Sequence, residues 1–590
     1  MKYLVNVFKI FNKIIVYIKD INYYFQVNAS FLSVMNLGIH YVYVEEFLDI
    51  LLKVCPQEYE IIKNNSAIIS EESYKKINSI NEIKGGEFIL CLHPTNKCNL
   101  SCRYCFRQFK DYSKHKLSYE VAKDAINYLI DEYAPNATKY IVDLSGSGEP
   151  LTNFELVKKI ALFCNDKQNI IGKSVAVMFS TNAVDLSAEK KEYINKNLVV
   201  GVSLDGDQKT NDISRVDNNN NGTYSKVRDF LEFNNRTFGI AVTITPVNQN
   251  VDEIYNHIYG LPNVDAISMR FVRMYDDSKY DFENFDINAL INHYKLLCQN
   301  LINNLKDKNY EYIKVLLRGN DYFGRYVSKL MLQGYVNYFR CDAGKNRISV
   351  DYKGDIFACS VLQGYDEYKL GNIYNGLNEM KIKKFFEPNI FQSNVCKGCW
   401  ASFLCGGECY AVSYFKMKQF NNPYIKKCNL KKELIKLSIG FVETIKDEYP
   451  DSFEYLLSFV AETWNYHVTD SAIWASIKIL NYYGFKPTYI ETASILRVKE
   501  YGVLPSVVLN YIKTYNEKVK AYRLYNIFDF CAIETPAISI INKISLLSYQ
   551  YVVIHHLDDN YVYIETINDV KLRKVNKKTY LLDYSDIVIF

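Results

Sequence analysis

Three cysteines fall within Cys98-Asn-Leu-Ser-Cys102-Arg-Tyr104-Cys105-Phe106, a C-x3-C-x2-C spacing with an aromatic residue before the third. Three thiolates this close can hold three irons of a [4Fe–4S] cube and leave the fourth iron open. An open iron is a place for chemistry, as a three-ligand zinc is, whereas a fully ligated cluster mainly stores or moves electrons. A second set lies downstream: Cys341-x12-Gly354-x4-Cys359, then Cys396-x2-Cys399-x5-Cys405-x3-Cys409, a gap, and Cys428. Structural zinc sites use the same residue types and are the alternative for both sets.

The first loop needs an element to present it. Leu92-His93-Pro94-Thr95-Asn96-Lys97 reads as a strand end running into a turn, which puts the cysteines at the mouth of an α/β fold, where ligands bind. From Phe88 onward, apolar runs alternate with helical stretches: Phe88–Leu92, Tyr140–Leu144, Ser174–Ser180, Leu198–Leu204, Ile240–Ile244 and Ala266–Val272. Six strands with helical crossovers predict a parallel sheet curled into a partial (β/α)6 barrel. Three of its strand ends carry polar residues: Gly146-Ser147-Gly148-Glu149-Pro150, Ser180-Thr181-Asn182, and Ser203-Leu204-Asp205-Gly206 with Asn211, Asp212 and Arg215 beyond. Asp205 also suits a turn before Gly206.

A chain of 590 residues is too long for one core. A net charge of +4 gives no electrostatic case for nucleic acid or membrane binding. Ten of the 15 cysteines sit in the two metal-ligand patterns, and Cys55, Cys91, Cys164, Cys298 and Cys531 are scattered. An odd total with C-x2-C pairs points to a reducing compartment rather than a disulfide framework. The start of the chain lacks a signal-peptide pattern, and no stretch reaches about 18 uncharged apolar residues, so the expectation is a cytoplasmic protein with no membrane span.

With these motifs in register, the chain resembles the radical S-adenosylmethionine (SAM) enzymes, whose signature is the first spacing with its aromatic. The resemblance implies SAM across the top of the barrel, with Tyr104, Gly148, Glu149, Ser180, Asn182, Ser203, Asp205 and Arg215 as cofactor-binding residues. Glu149 would line the pocket of the SAM amino group, Ser203 would face the ribose, and Arg215 would pair with the carboxylate. The family most often reads Gly-Gly-Glu-Pro, and here Ser147 takes the first position. The downstream set matches the spacing of the SPASM domain. By that resemblance Cys341, Cys359 and Cys409 hold one auxiliary cluster and Cys396, Cys399, Cys405 and Cys428 another, three [4Fe–4S] clusters with that of Cys98, Cys102 and Cys105. The first auxiliary group is one ligand short, and Asp342 to Ser349 contains no cysteine. An open iron for a substrate thiolate, loss of that cluster, or an unrecognised ligand would each account for this.

The implied activity is that of a peptide maturase. A 5′-deoxyadenosyl radical takes a substrate hydrogen, a substrate cysteine bonds to that carbon, and an auxiliary cluster receives the surplus electron. No side chain is assigned as catalytic beyond cluster-bound SAM. The implied partners are a ribosomally made, cysteine-rich precursor peptide and a flavodoxin or ferredoxin-type reductant. Two rivals compete. One is an anaerobic sulfatase maturase that makes formylglycine; that family normally carries Asp after the second SPASM cysteine, where this chain has Ser360. The other is a cluster-bearing peptide-binding protein without SAM turnover.

Four domains are expected: 1–86, 87–330, 331–448 with a closing helix over 430–448, and 452–590. In the first, short runs from Val5 to Val27 read as three strands, with turns at Asn12-Lys13 and Asp20-Ile21-Asn22 and helices over Val44–Val54 and Ser70–Ile83. This pattern resembles the winged-helix leader-recognition domain of radical SAM peptide maturases; a small α/β cap on the barrel is the alternative. The last domain resembles a papain-like C39 peptidase from His467 through Asp470-Ser471-Ala472 to Tyr482-Tyr483-Gly484, with an unrelated α/β domain as the alternative. Its chemistry is missing. Ser471 occupies the nucleophile position, Gln550 the base, Glu565 the orienting acid and Asn465 the oxyanion side, while His555 and His556 lie beyond the base position. A serine without a positioned base is not activated. Precursor incubated with the full chain is therefore expected to keep its leader by mass spectrometry, with Ser471→Ala leaving modification unchanged; a leader cut that disappears in Ser471→Ala would overturn this.

Overall fold

The computed structural model describes residues 2–64, 87–106, 116–273, 278–319, 321–332, 337, 340–341, 343–386, 389–419, 422–463, 471–485, 505–515, 521–523, 537–541, 550–558, 560–566, 569–577 and 587–589. These fall into two compact units, one mostly of chain up to Phe441 and one mostly of chain from Val442 onward.

The first unit opens with four antiparallel strands, β1 (Lys2–Ile10), β2 (Lys13–Ile18), β3 (Tyr23–Val27) and β4 (Gly38–Tyr43), in the order β3-β2-β1-β4. Phe11 and Asn12 at φ 46° and 65° make the tight turn between β1 and β2, matching the twist of a two-residue hairpin. Three strands were expected here, and β4 is an addition. Helices α1 (Val44–Val54) and α2 (Pro56–Asn64) follow, and Phe47 and Leu51 of α1 join Tyr3, Val5 and Val16 of the sheet in one core. The expected helix over Ser70–Ile83 lies outside the described residues. Phe8 and Tyr17 meet Trp400 of the cysteine-rich segment at ring-centroid distances of 5.8 and 5.5 Å. Lys19 Nζ donates to the carbonyl of Lys397 at 2.5 Å.

Six parallel strands follow in chain order, each beside the last: β5 (Glu87–Leu92), β6 (Lys139–Asp143), β7 (Ser174–Thr181), β8 (Val199–Ser203), β9 (Phe238–Ile244) and β10 (Val264–Phe271). All six were legible as apolar runs. The crossovers include α3 (Tyr119–Asn127), α4 (Phe154–Ile171), α5 (Ala188–Asn197), α6 (Gln208–Ser214), α7 (Tyr224–Phe233) and α8 (Val251–Tyr259). Ser118, Ser187 and Asp207 each cap a helix start by accepting from a backbone N–H three residues on. The molecule thus has the α/β class expected of it, built on a large, mostly parallel sheet.

The cysteine-rich segment continues that sheet. Its first strand, β11 (Arg347–Val350), runs parallel to β5, and β12 (Asp355–Phe357), β13 (Lys369–Asn372) and β14 (Gly376–Leu377) extend it antiparallel to ten strands. Gly354 makes the predicted hairpin turn at φ 81°, where a Cβ would lie 2.9 Å from Ile373. The segment is less helix-poor than expected, with Glu379–Phe386 and Tyr410–Met417 both helical. Its closing helix, α9 (Ile425–Glu448), starts earlier than residue 430 and carries Cys428. At Gly440 of α9 a Cβ would sit 2.8 Å from Ile10 and Phe11, so the hairpin turn of the N-terminal sheet rests on bare helix backbone.

In the second unit, β15 (Ala521–Arg523), β16 (Ala537–Ile541), β17 (Gln550–Leu557), β18 (Tyr561–Thr566), β19 (Asp569–Asn576) and β20 (Ile587–Ile589) form an antiparallel sheet ordered β15-β20-β16-β17-β18-β19. Helix α10 (Ser471–Tyr482) packs on β16 and β17. Ser471 opens that helix, Gln550 opens β17, and Glu565 of β18 stands opposite Val553. His556 stacks on Tyr563 at 4.0 Å. Asn465, His467 and Asp470 lie outside the described residues. No helix among the described residues is long and apolar enough to cross a membrane.

Candidate functional site

The loop after β5 is tied down just before Cys98 and again at Tyr104, between Cys102 and Cys105. On the near side, Glu149 N donates to the carbonyl of Lys97 at 2.8 Å. Gly148, at φ 62°, brings its backbone so close that a Cβ would lie 2.5 Å from the Lys97 carbonyl oxygen and 2.7 Å from that of Thr95. The glycine is required by its left-handed φ and by this approach together. On the far side, Tyr104 is buried and donates its hydroxyl to Asp205 Oδ2 at 2.6 Å, while Arg215 Nη1 donates to the same hydroxyl at 2.7 Å. The aromatic of the cysteine motif therefore joins the loop to the end of β8 and the residue after α6.

Both carboxylates in these ties are buried. Glu149 Oε1 accepts from Thr181 Oγ1 at 2.9 Å and Leu151 N at 3.2 Å, and Oε2 accepts from Asn182 N at 2.7 Å. Burial pushes its carboxyl up, and these hydrogen bonds pull against that. Asp205 is likewise pushed up by burial and held down by Arg215; its Oδ1 accepts from Thr243 N at 2.8 Å. Asn182 Nδ2 reaches Asn99 Oδ1 at 2.8 Å and points at Cys98 Sγ at 3.8 Å. Ser203 ends β8 half-buried, and Ser180 of β7 is exposed with its N–H on Ser145 Oγ.

Arg215 is fully enclosed, and its Nε has no hydrogen-bond partner among the described residues. An orphaned buried guanidinium N–H next to the cysteine loop fits an anionic group arriving from outside the chain, as the carboxylate of SAM would be. Cys98, Cys102 and Cys105 lie within one another's electrostatic reach. Among the described residues, no three His, Cys, Asp or Glu side chains converge on one point as a single ion requires. A cube asks less, because each thiolate binds a different iron. The downstream cysteines sort the same way. Cys341 feels Cys409 and Cys359, whereas Cys396 feels Cys405 and Cys399, and Cys428 feels Cys405 and Cys396. Burial pushes the Cys396 thiol up to about 11, so thiolate there needs a metal to stabilise it.

Thr181 stands in the strand-end run with no predicted role, yet its hydroxyl holds Glu149. Asn211 is buried, accepts from Asp205 N at 3.2 Å and donates to Thr223 Oγ1 at 3.1 Å. Arg347 of β11 reaches across the sheet to Asp143 Oδ2 at 3.1 Å and Cys91 Sγ at 3.3 Å. No local spacing signals Arg347, because its partners come from strands far away in the chain.

Residues 92–258 match the model of the Radical SAM superfamily. This chain carries a radical SAM domain, the class that binds SAM at an iron–sulfur cluster. Over 316 residues it is 28% identical to an uncharacterised protein of Methanocaldococcus jannaschii, covering 53% of this chain and 94% of that one. It is 24% identical over 416 residues to the radical SAM cyclopropyl synthase TigE of Paramaledivibacter caminithermalis, covering 67% and 83%. To the cysteine-type anaerobic sulfatase-maturating enzyme of Clostridium novyi it is 23% identical over 343 residues, covering 53% and 85%. The fold is similar to that of anSMEcpe with bound AdoMet, with a TM-score of 0.50 at 19% identity over 63% of this chain and 98% of that one.

Gly148→Ala tests the approach of the turn to the loop. A side chain at this φ costs about 1–2 kcal/mol before the clash with the loop carbonyls is counted. The reconstituted variant is expected to lose about one cluster's iron and its SAM cleavage, with a lowered Tm. Wild-type iron and cleavage would show that the loop does not depend on this contact.

Proposed function

We propose that this protein is a radical SAM maturase of a ribosomally made, cysteine-rich peptide, and that it forms a thioether. Cys98, Cys102 and Cys105 hold the SAM-binding cluster, and the downstream cysteines hold two auxiliary clusters. The observation that carries the finer reading is the division of the downstream thiols into a group of three, Cys341, Cys359 and Cys409, and a group of four. A three-thiolate set leaves a position for a substrate cysteine. When bound, SAM and its cluster would supply the radical that takes a hydrogen atom from a substrate carbon; the bond from that carbon to a substrate cysteine sulfur would release the thiol proton to solvent and one electron to an auxiliary cluster.

The chain's own part is placement. Arg215, whose Nε has no partner among the described residues, would hold the SAM carboxylate, and Tyr104 holds that guanidinium in place. Glu149 keeps the cysteine loop against the ends of β6 and β7, and its contribution to the SAM amino group comes through the shape of that turn. A flavodoxin or ferredoxin-type protein is the proposed electron donor. The sulfatase-maturase reading has relatives in its favour. Against it stands Ser360, which lies against Gly146 where an acid would be expected.

The N-terminal sheet is the proposed leader site, on the edge strand β4. Ile39, Tyr41 and Tyr43 are 53%, 63% and 56% exposed there, an apolar row beside unpaired strand backbone. The second unit is proposed to bind peptide without cutting it.

Changing Cys98, Cys102 and Cys105 together to Ala is expected to remove about one cluster's iron from a wild type carrying close to three, and to abolish 5′-deoxyadenosine formation. Zinc in the purified protein, or iron for a single cluster, would sink the auxiliary assignment. Separately, Ile39→Lys with Tyr41→Lys is expected to weaken precursor binding at least tenfold by fluorescence anisotropy while SAM cleavage continues. Unchanged binding would leave the N-terminal sheet as a cap.

A further inference from the structure

Beside the four-cysteine group lies a buried set of charges that does not balance. Lys431 Nζ contacts Glu408 Oε1 at 3.0 Å and the carbonyl of Gly407 at 3.1 Å, and both side chains are 1% exposed. Lys427 is also buried, with its Nζ 5.3 Å from the Phe282 ring centre. Tyr322 gathers the cations: Arg340 sits 4.4 Å over its ring, with Lys431 and Lys427 at 5.9 and 6.0 Å. Among the described residues three cations face one carboxylate, that of Glu408, whose Oε2 has no hydrogen-bond partner there. Burial would push the Tyr322 phenol up, yet Lys427, Arg340 and Lys431 outweigh it and pull the phenol down. Lys432 and Lys19 also bear on Cys399, but Lys432 is half-buried and Lys19 has Asp20 beside it.

Lys427 and Lys431 are buried and Arg340 half-buried, and an excess of positive charge held in this way is unfavourable unless an anion completes it. Thiols of the four-cysteine group can supply one: Cys405 bears on both Lys431 and Arg340, and Lys431 bears on Cys396 and Cys428. A doubly positive cube held by four thiolates is doubly negative, which closes the count. Its reduced form carries one more negative charge, so the same cations favour reduction.

We propose that Arg340, Lys427 and Lys431 are the internal counter-charge of a cluster on Cys396, Cys399, Cys405 and Cys428, and that they raise its potential so that it accepts the electron released in bond formation. The inference rests on the auxiliary-cluster reading, and the experiment separates the two. The full chain is reconstituted anaerobically, its iron counted, and its potentials measured by redox titration followed by electron paramagnetic resonance. Lys431→Met should move one potential negative, Glu408→Gln should move the same one positive, and the double variant should return it close to wild type. Lys431→Arg, which keeps the charge, should leave it in place. If Lys431→Met does not retain iron, Glu408→Gln alone decides, since it keeps the acceptor of the Cys409 N–H. Full iron with potentials that stay fixed, or that move in the same direction in both variants, overturns the counter-charge role. Iron for one cluster in the wild type overturns the auxiliary reading itself.

Discussion

A buried carboxylate at the end of β6 is the constraint on which the site depends. An ionised group in the interior persists only when donors surround it. Glu149 takes its donors from the turn that follows it and from the end of β7, while its own N–H is given to the cysteine loop. Withdrawing any of these segments would strand the charge. The loop, the β6 turn and the β7 end must therefore assemble together or not at all. Asp205 repeats the arrangement on the other flank with Tyr104, Arg215 and Thr243. Cys98 and Cys102 thus lie between two anchored points, and Cys105 directly follows the second of them.

Arg347 shows how the downstream segment joins this frame. It comes from β11, beside β5 in the same sheet, and reaches Asp143 on β6. The cysteine-rich segment is thereby a continuation of the core sheet, so the spacing between the two sets of cysteines is set by strands rather than by a linker.

Local pattern accounts for much of what could be read in advance. The six parallel strands are continuous apolar runs, because both faces of such a sheet are covered. The cysteine motifs were legible because metal geometry imposes short spacings. The β4 strand was not, since its outward residues Ile39, Tyr41 and Tyr43 are exposed and its partner β1 lies across β2 and β3 in the chain. The ties around the cysteines were half legible. Glu149 and Arg215 stood in recognisable runs, but that Thr181 holds one and Tyr104 the other depends on which strand ends meet. The charge cluster at Lys431 left no trace in the sequence, because lysines spaced through a helix usually read as a solvated face.

The contact between the N-terminal sheet and Trp400 has a consequence for handling in air. Trp400 follows Cys399 directly, and it is shielded by Phe8 and Tyr17. The sheet thus covers the residue next to a thiol that is itself half-exposed. A ligand that shifts the sheet would change how fast oxidant reaches the cysteine loop beneath it. Oxygen tolerance then becomes a property shared between the cysteines and the first strands of the chain, and the two would have to change in concert in any relative that lives closer to air.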